Sequence, residues 1–349
     1  MQKLNDAPLA LTFDDVTLSP VRSTIKSRKE PDVSTVIAGM KLKIPIIASP
    51  MNTVCEEEMI WRMDDLGGVG VLHRYMSAED QLKKAPWRKY GEQPINFYVA
   101  IGSSGDYLER AKMLYNAGAK HFCVDVANGH SKSLLDAVEA LRKQFSDIVV
   151  MAGSVCSYVG VWDLIQSGAS AVRVGIGNGS RCITRLVTGH GLPQMTALED
   201  CCKLKLEYPN VSIIADGGIR NSGDIVKCLA IGADAVMLGN LLAGTEETPG
   251  AVNKDPTTGE LYKMYAGMAS EAGRKFNGWF SEDDASFVPE GVSGRVPFKG
   301  SAVKVIDDLV GGLKVGMSFS NARTLEELRQ NAKWSRVTGA GYQEGLPRL

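Results

Sequence analysis

The chain has 349 residues, with 39 basic and 40 acidic side chains and 44% hydrophobic residues. This near-neutral balance gives no electrostatic basis for binding nucleic acid or anionic membranes, and no apolar run is long enough to span a bilayer. The start, MQKLNDAPLA, has no signal-peptide core, and the seven cysteines contain no C-x-x-C pair. A reducing, cytoplasmic setting without disulfides or structural zinc is therefore expected.

In chain order, apolar runs at 44–51, 69–74, 96–102 and 121–128 read as strands, followed by 148–155, 171–177, 211–218 and 235–242. Helical periodicity falls between them at 106–117, 131–143, 158–167, 195–207 and 222–231. Strands apolar on both faces, alternating with helices, predict a parallel sheet with right-handed crossovers. Eight such units fit a (β/α)8 barrel in one catalytic domain over 1–349, although periodicity alone leaves an open doubly wound sheet as the alternative. Residues 245–301 break the rhythm after the eighth strand and read as a flap, because a long insertion in a compact domain is usually functional. The tail at 337–349 also falls outside it.

In a barrel, functional residues gather on the loops after the strands. Those loops here are Ser49-Pro-Met-Asn-Thr53, Asp125-Val-Ala-Asn-Gly-His-Ser131, Gly175-Ile-Gly-Asn-Gly-Ser-Arg-Cys-Ile-Thr184, Asp216-Gly-Gly-Ile219 and Gly239-Asn240. A cysteine beside a tight turn is more often inert than reactive. On a glycine-rich loop at this end of a barrel, however, Cys182 is placed for nucleophilic attack. Asp216-Gly-Gly and Met237-Leu-Gly-Asn240 close strands seven and eight, where barrels commonly bind phosphate. A carboxylate there suits ribose hydroxyls, which together describes a nucleoside-monophosphate pocket.

These stretches, with Leu11-Thr-Phe-Asp-Asp-Val-Thr-Leu18, Gly189-His-Gly-Leu-Pro-Gln194, Tyr265-Ala-Gly-Met268 and Val288-Pro-Glu-Gly291, resemble the IMP dehydrogenase/GMP reductase family from about residue 10 to residue 344. The resemblance implies a (β/α)8 barrel, usually tetrameric, acting on a purine 5′-monophosphate through a covalent bond from Cys182 to purine C2. It implies ribose and phosphate contacts from Ser49, Ser180, Asp216, Gly218, Gly239 and Asn240. Tyr265, Gly267, Met268 and Glu290 would complete the phosphate and base contacts. Asp125, Val126, Ala127, Asn128 and Gly129 match the nicotinamide wall. The carbonyls of Gly177, Gly179 and Cys182 match a monovalent cation site for potassium, with tail residues near Glu344 of a neighbouring subunit.

The two activities of the family diverge after the covalent step. The dehydrogenase uses NAD and needs a base to activate water, a role resembling an Arg-Tyr pair on the flap. Here Gly278 and Trp279 stand at the aligned positions, and neither side chain can accept a proton. The reductase uses NADPH and needs an acid for the departing amine, a role resembling a Thr–Glu pair matched by Thr184 and Glu290. Arg22-Ser-Thr-Ile-Lys-Ser-Arg28, Asp125–Ser131 and Thr188-Gly-His-Gly191 are also similar to reductases. Ser49-Pro-Met51, the stretch 288–297 and the stretch 335–344 are more similar to dehydrogenases, and Arg74 stands where reductases tend to carry lysine. Only residues 78–95 lie between Ser77 and Asn96, so the regulatory module often inserted in dehydrogenases is missing there. The expectation is GMP reductase, with IMP dehydrogenase as the alternative. An inactive nucleotide-binding homologue would be expected to lack one of Cys182, Thr184, Asp216 or Glu290, and all are present.

Overall fold

The computed structural model describes residues 4–87, 95–275 and 288–347. Eight parallel strands close into a barrel: β1 (Ile46–Ala48), β2 (Val69–Leu72), β3 (Phe97–Ile101), β4 (His121–Asp125), β5 (Val149–Val155), β6 (Ala171–Val174), β7 (Ser212–Asp216) and β8 (Ala235–Leu238). Each pairs with its sequence neighbours, and the ring closes where Met237 of β8 faces Ile47 of β1. All eight predicted strands are present, and they close into the barrel instead of the open doubly wound sheet. Most of the predicted strands run past the observed C-terminal ends, because their last residues belong to the functional loops.

The reason both faces read as apolar is visible in β3. Tyr98 and Ala100 point into the barrel's inner cluster, while Phe97, Val99 and Ile101 pack outward against the helical layer. An antiparallel hairpin, Thr35–Ile37 with Met40–Leu42, plugs the N-terminal end of the barrel. Its Ala38 N–H donates to Ser212 Oγ (2.9 Å) at the first residue of β7, and Thr35 Oγ1 donates to the Asp234 carbonyl (2.9 Å) just before β8. That end is filled, which leaves the opposite rim for ligands.

The predicted helices 106–117, 131–143, 158–167 and 222–231 appear as Tyr107–Asn116, Lys132–Gln144, Tyr158–Gln166 and Ser222–Ile231. Ser157 and Asn221 cap the last two by accepting from the backbone N–H groups of Gly160 and Asp224. The helix predicted over 195–207 is Gln194–Cys202, followed by a tighter turn at Lys203–Leu206. The helix Ala302–Phe319 completes the outer layer.

The insertion is more regular than its composition indicates. Asn253–Lys254, Leu261–Ala266 and Ser293–Pro297 form a three-stranded antiparallel sheet. Buried Lys263 anchors its base by donating to the carbonyls of Thr245 (3.0 Å), Glu246 (3.2 Å) and Thr248 (2.6 Å). The Glu247 carboxylate does the same from the other side, accepting from the Ala302 N–H, Ser301 Oγ and Arg62 Nε. Gly278 and Trp279 lie outside the described residues. In the tail, Trp334–Arg336 pairs with Val16–Leu18, and a short helix is formed by Gly339–Glu344.

Candidate active site

A cleft of about 350 Å3 opens at the C-terminal rim of the barrel. The loop after β6 forms its floor. Gly175 (φ +149°) is required there because a Cβ would sit 2.0 Å from the Asp216 carbonyl oxygen. Asn178 then staples this loop to the next, its Nδ2 donating to the carbonyls of Asp216 (3.2 Å) and Gly217 (3.3 Å) and to Gln194 Oε1. Gln194 in turn donates to the Val174 carbonyl (2.8 Å) at the end of β6.

Cys182 is half-buried on this loop, and its N–H donates to the Gly179 carbonyl (3.0 Å). The residues after it zip onto the returning arm of the insertion. Ile183 N–H donates to the Glu290 carbonyl (2.8 Å), Val292 N–H donates to the Arg181 carbonyl (2.9 Å), and Cys182 pairs with Gly291 as a β-bridge. This ladder brings the Glu290 carboxylate, 106 residues beyond Thr184, to the cysteine loop. The Cys182 thiol donates to Thr184 Oγ1 (3.1 Å), and the Thr184 hydroxyl donates to Glu290 Oε2 (2.8 Å). A proton leaving the sulfur has a continuous path to the carboxylate.

Across the cleft, Arg173 of β6 bridges Asp125 of β4 (2.5 Å) and Asp216 of β7 (2.7 Å) in a buried ionic triad. Ser154 Oγ adds a hydrogen bond to the same Asp216 oxygen (3.1 Å). The burial of Arg173 disfavours its charge, and the two carboxylates outweigh this, raising its pKa well above the ordinary value. Arg173→Met is expected to cost about 3 kcal/mol of stability, because half-buried Asp216 would lose its cation and buried Asp125 would keep only the more distant Arg74 (4.0 Å). Urea denaturation reads this, and an unchanged midpoint with unchanged slope would contradict it.

Tyr75 also faces the cleft, and burial and then the nearby Asp125 charge raise its phenol pKa, so it is a neutral donor. Arg74 beside it donates through Nε to the Asp125 carbonyl (3.2 Å). His73 is buried, and its Nε2 meets Glu56 Oε1 (3.0 Å) while its Nδ1 accepts from the Tyr75 N–H (3.2 Å). Burial lowers its pKa against that carboxylate, which favours the neutral ring.

Most sequence-derived candidates line this one cleft: Ser49, Asp125, Val126, Ala127, Gly177, Gly179, Ser180, Cys182, Thr184, Asp216, Gly218, Gly239, Asn240, Tyr265, Gly267, Met268 and Glu290. Asn128 and Gly129 do not line it. Gly129 N–H donates to the Ser154 carbonyl (2.7 Å), where a Cβ would sit 2.8 Å from that oxygen, and Asn128 Oδ1 accepts from the His130 N–H (3.2 Å). They shape the turn behind the wall. Arg173, Ser154, Tyr75 and Arg181 are lining residues that sequence reasoning passed over. An arginine inside the apolar run 171–177 was the available signal, since a charge in an inward strand position needs buried partners.

The IMP dehydrogenase / GMP reductase domain matches residues 10–348. Inosine-5′-monophosphate dehydrogenase of Aquifex aeolicus is 47% identical over 90% of this chain and 67% of its own length. That of Halalkalibacterium halodurans is 37% identical over 99% of this chain and 74% of its own. Among solved structures, a GMP reductase variant from Trypanosoma brucei in complex with guanosine 5′-monophosphate superposes with a TM-score of 0.92, at 29% identity and 99% coverage of both chains. The chain therefore belongs to the IMP dehydrogenase/GMP reductase family of oxidoreductases.

Proposed function

We propose that the chain is a GMP reductase, converting GMP to IMP with NADPH and releasing ammonia. The observation that carries this reading is the hydrogen-bond chain from Cys182 through Thr184 to Glu290. As the Cys182 thiolate adds to purine C2, its former proton passes through the Thr184 hydroxyl to Glu290. The same path, run backwards, delivers a proton to the C2 amine, which leaves as ammonia while the C2–N3 double bond re-forms on the thio-purine. Asp125, Val126 and Ala127 would hold a nicotinamide cofactor, which when bound would supply the hydride to C2. Cleavage of the C–S bond then returns the thiolate and frees IMP. Asp216 accepts from the ribose hydroxyls, and Ser180, Gly218, Gly239, Asn240 and Tyr265 surround the phosphate. Burial raises the Tyr265 phenol pKa, against a hydrogen bond to Ser180, so it serves as a donor to that phosphate.

The same reading includes a tetramer, a cytoplasmic location and a bound potassium ion. The carbonyls of Gly177, Gly179 and Cys182 suit that ion in kind, being neutral oxygen donors on one glycine-rich turn. The IMP dehydrogenase reading is favoured by the names of the curated relatives at 37% and 47% identity. It requires a group to activate water, and the aligned flap positions that resemble the Arg-Tyr pair of dehydrogenases carry Gly278 and Trp279 instead. With GMP and NADPH, ammonia and IMP are expected one for one with NADPH consumed. NADPH consumption without ammonia would sink the reductase reading.

A further inference from the structure

We propose that Arg181 is the charge that reads the 5′-phosphate of the bound nucleotide, acting across the ring of Tyr265; this rests on the nucleotide reading above. Three arginines among the described residues line the cleft. Arg173 is neutralised by Asp125 and Asp216, and Arg220 by Asp14 and Asp224. Among the described residues no carboxylate lies within ion-pair distance of Arg181. Its Nη2 donates to the Arg295 carbonyl (3.2 Å), and its Nε is shielded from water with no acceptor.

The guanidinium is held in place. Its central carbon lies 5.3 Å from the centroid of the Tyr265 ring. Gly294 makes room for it, since a Cβ there would sit 3.2 Å from Arg181 Nη1. A cation on the face of a phenol is attracted to the ring and draws density from it, which strengthens the hydroxyl as a donor. That hydroxyl donates to the weak thioether acceptor Met51 Sδ (3.7 Å), in a corner it shares with a second donor. A Cβ on Gly239 would meet Tyr265 Oη at 2.9 Å and Ser49 Oγ at 3.2 Å, and Ser49 Oγ is itself buried with no partner. The remaining charges nearby are committed elsewhere: Arg295 to Asp255, Asp216 to Arg173, and Glu290 to Thr184. Desolvated donors beside an uncompensated cation call for an anion. A phosphate dianion supplies both the charge and the acceptors.

The test is titration calorimetry of the full chain and of Arg181→Met and Arg181→Lys with GMP and with guanosine, at about pH 8 and about pH 5, on either side of the second phosphate ionisation near 6. Arg181→Met is expected to weaken GMP about 10- to 100-fold at the higher pH and only about 3- to 10-fold at the lower, as the phosphate goes from two charges to one. Guanosine affinity is expected to stay within about two-fold, and Arg181→Lys to bind GMP more tightly than Arg181→Met but less tightly than the unaltered chain, since it keeps the charge and loses the planar stack on Tyr265. Undiminished GMP binding by Arg181→Met overturns the role of Arg181 and leaves the nucleotide reading intact. Equal losses for GMP and guanosine, or a loss independent of pH, also overturn it, by showing a packing role. Failure of the unaltered chain to bind GMP removes the nucleotide reading itself, and this proposal with it.

Discussion

Cys182→Ala is expected to lower kcat by about 10⁴-fold or more while changing GMP affinity only a few-fold, because it removes the nucleophile and little else. The cysteine backbone is fixed by its N–H to Gly179 and its bridge to Gly291, and alanine preserves both. In the proposed reading the base, ribose and phosphate are held by Asp216, Gly218, Gly239, Asn240 and Tyr265 from other loops and by Ser180, none of which this substitution changes, so binding is separable from chemistry. Steady-state turnover and calorimetry on the same preparation make the distinction. Retained turnover would rule out covalent catalysis, and lost binding would show that the cysteine shapes the pocket.

Breaking the relay at its centre is expected to be nearly as damaging. Thr184→Val keeps the shape of the side chain but removes the hydroxyl that accepts from Cys182 at 3.1 Å and donates to Glu290 at 2.8 Å. General acid–base catalysis is worth about 10²–10⁴-fold, and that is the expected loss in kcat. Glu290→Gln is expected to match it, and the double variant to be little worse than either, because the groups act as one path. Thr184→Ser is expected to restore most of the rate. The effect should fall on ammonia departure, so a hydride isotope effect measured with deuterated nicotinamide should shrink towards one in Thr184→Val. A full isotope effect with a loss under about ten-fold would mean that the hydroxyl is not on the proton's route.

The parallel β/α layers were legible because the strands are apolar on both faces and alternate with helices, whereas closure into a barrel rested on the count of eight units and on the family resemblance, since an open doubly wound sheet shares the pattern. The loops were legible for a different reason. Glycines such as Gly175 stand where a backbone presses on a neighbouring carbonyl, so the motif records the contact directly. Arg173 was hidden because a single charge within an apolar run does not say where its carboxylates lie, and Asp125 and Asp216 come from two other strands. Arg181 reads as one more loop cation until the structure shows that it has no counterion. The insertion looked irregular because its strands carry charges and glycines, and their pairing is settled by tertiary anchors such as Lys263 and Glu247. Asn128 and Gly129 show a different relation between motif and site: they fold the turn behind the Asp125–Ala127 wall and do not line the cleft.

The most direct test of the central claim is a side-by-side assay by nicotinamide absorbance and product analysis, with GMP plus NADPH in one arm and IMP plus NAD in the other. The expected result is NADPH oxidation with IMP and ammonia formed in the first arm, and no XMP in the second. Robust XMP formation in the second arm with no NADPH consumption in the first would contradict it, leaving Thr184 and Glu290 in the service of water rather than ammonia.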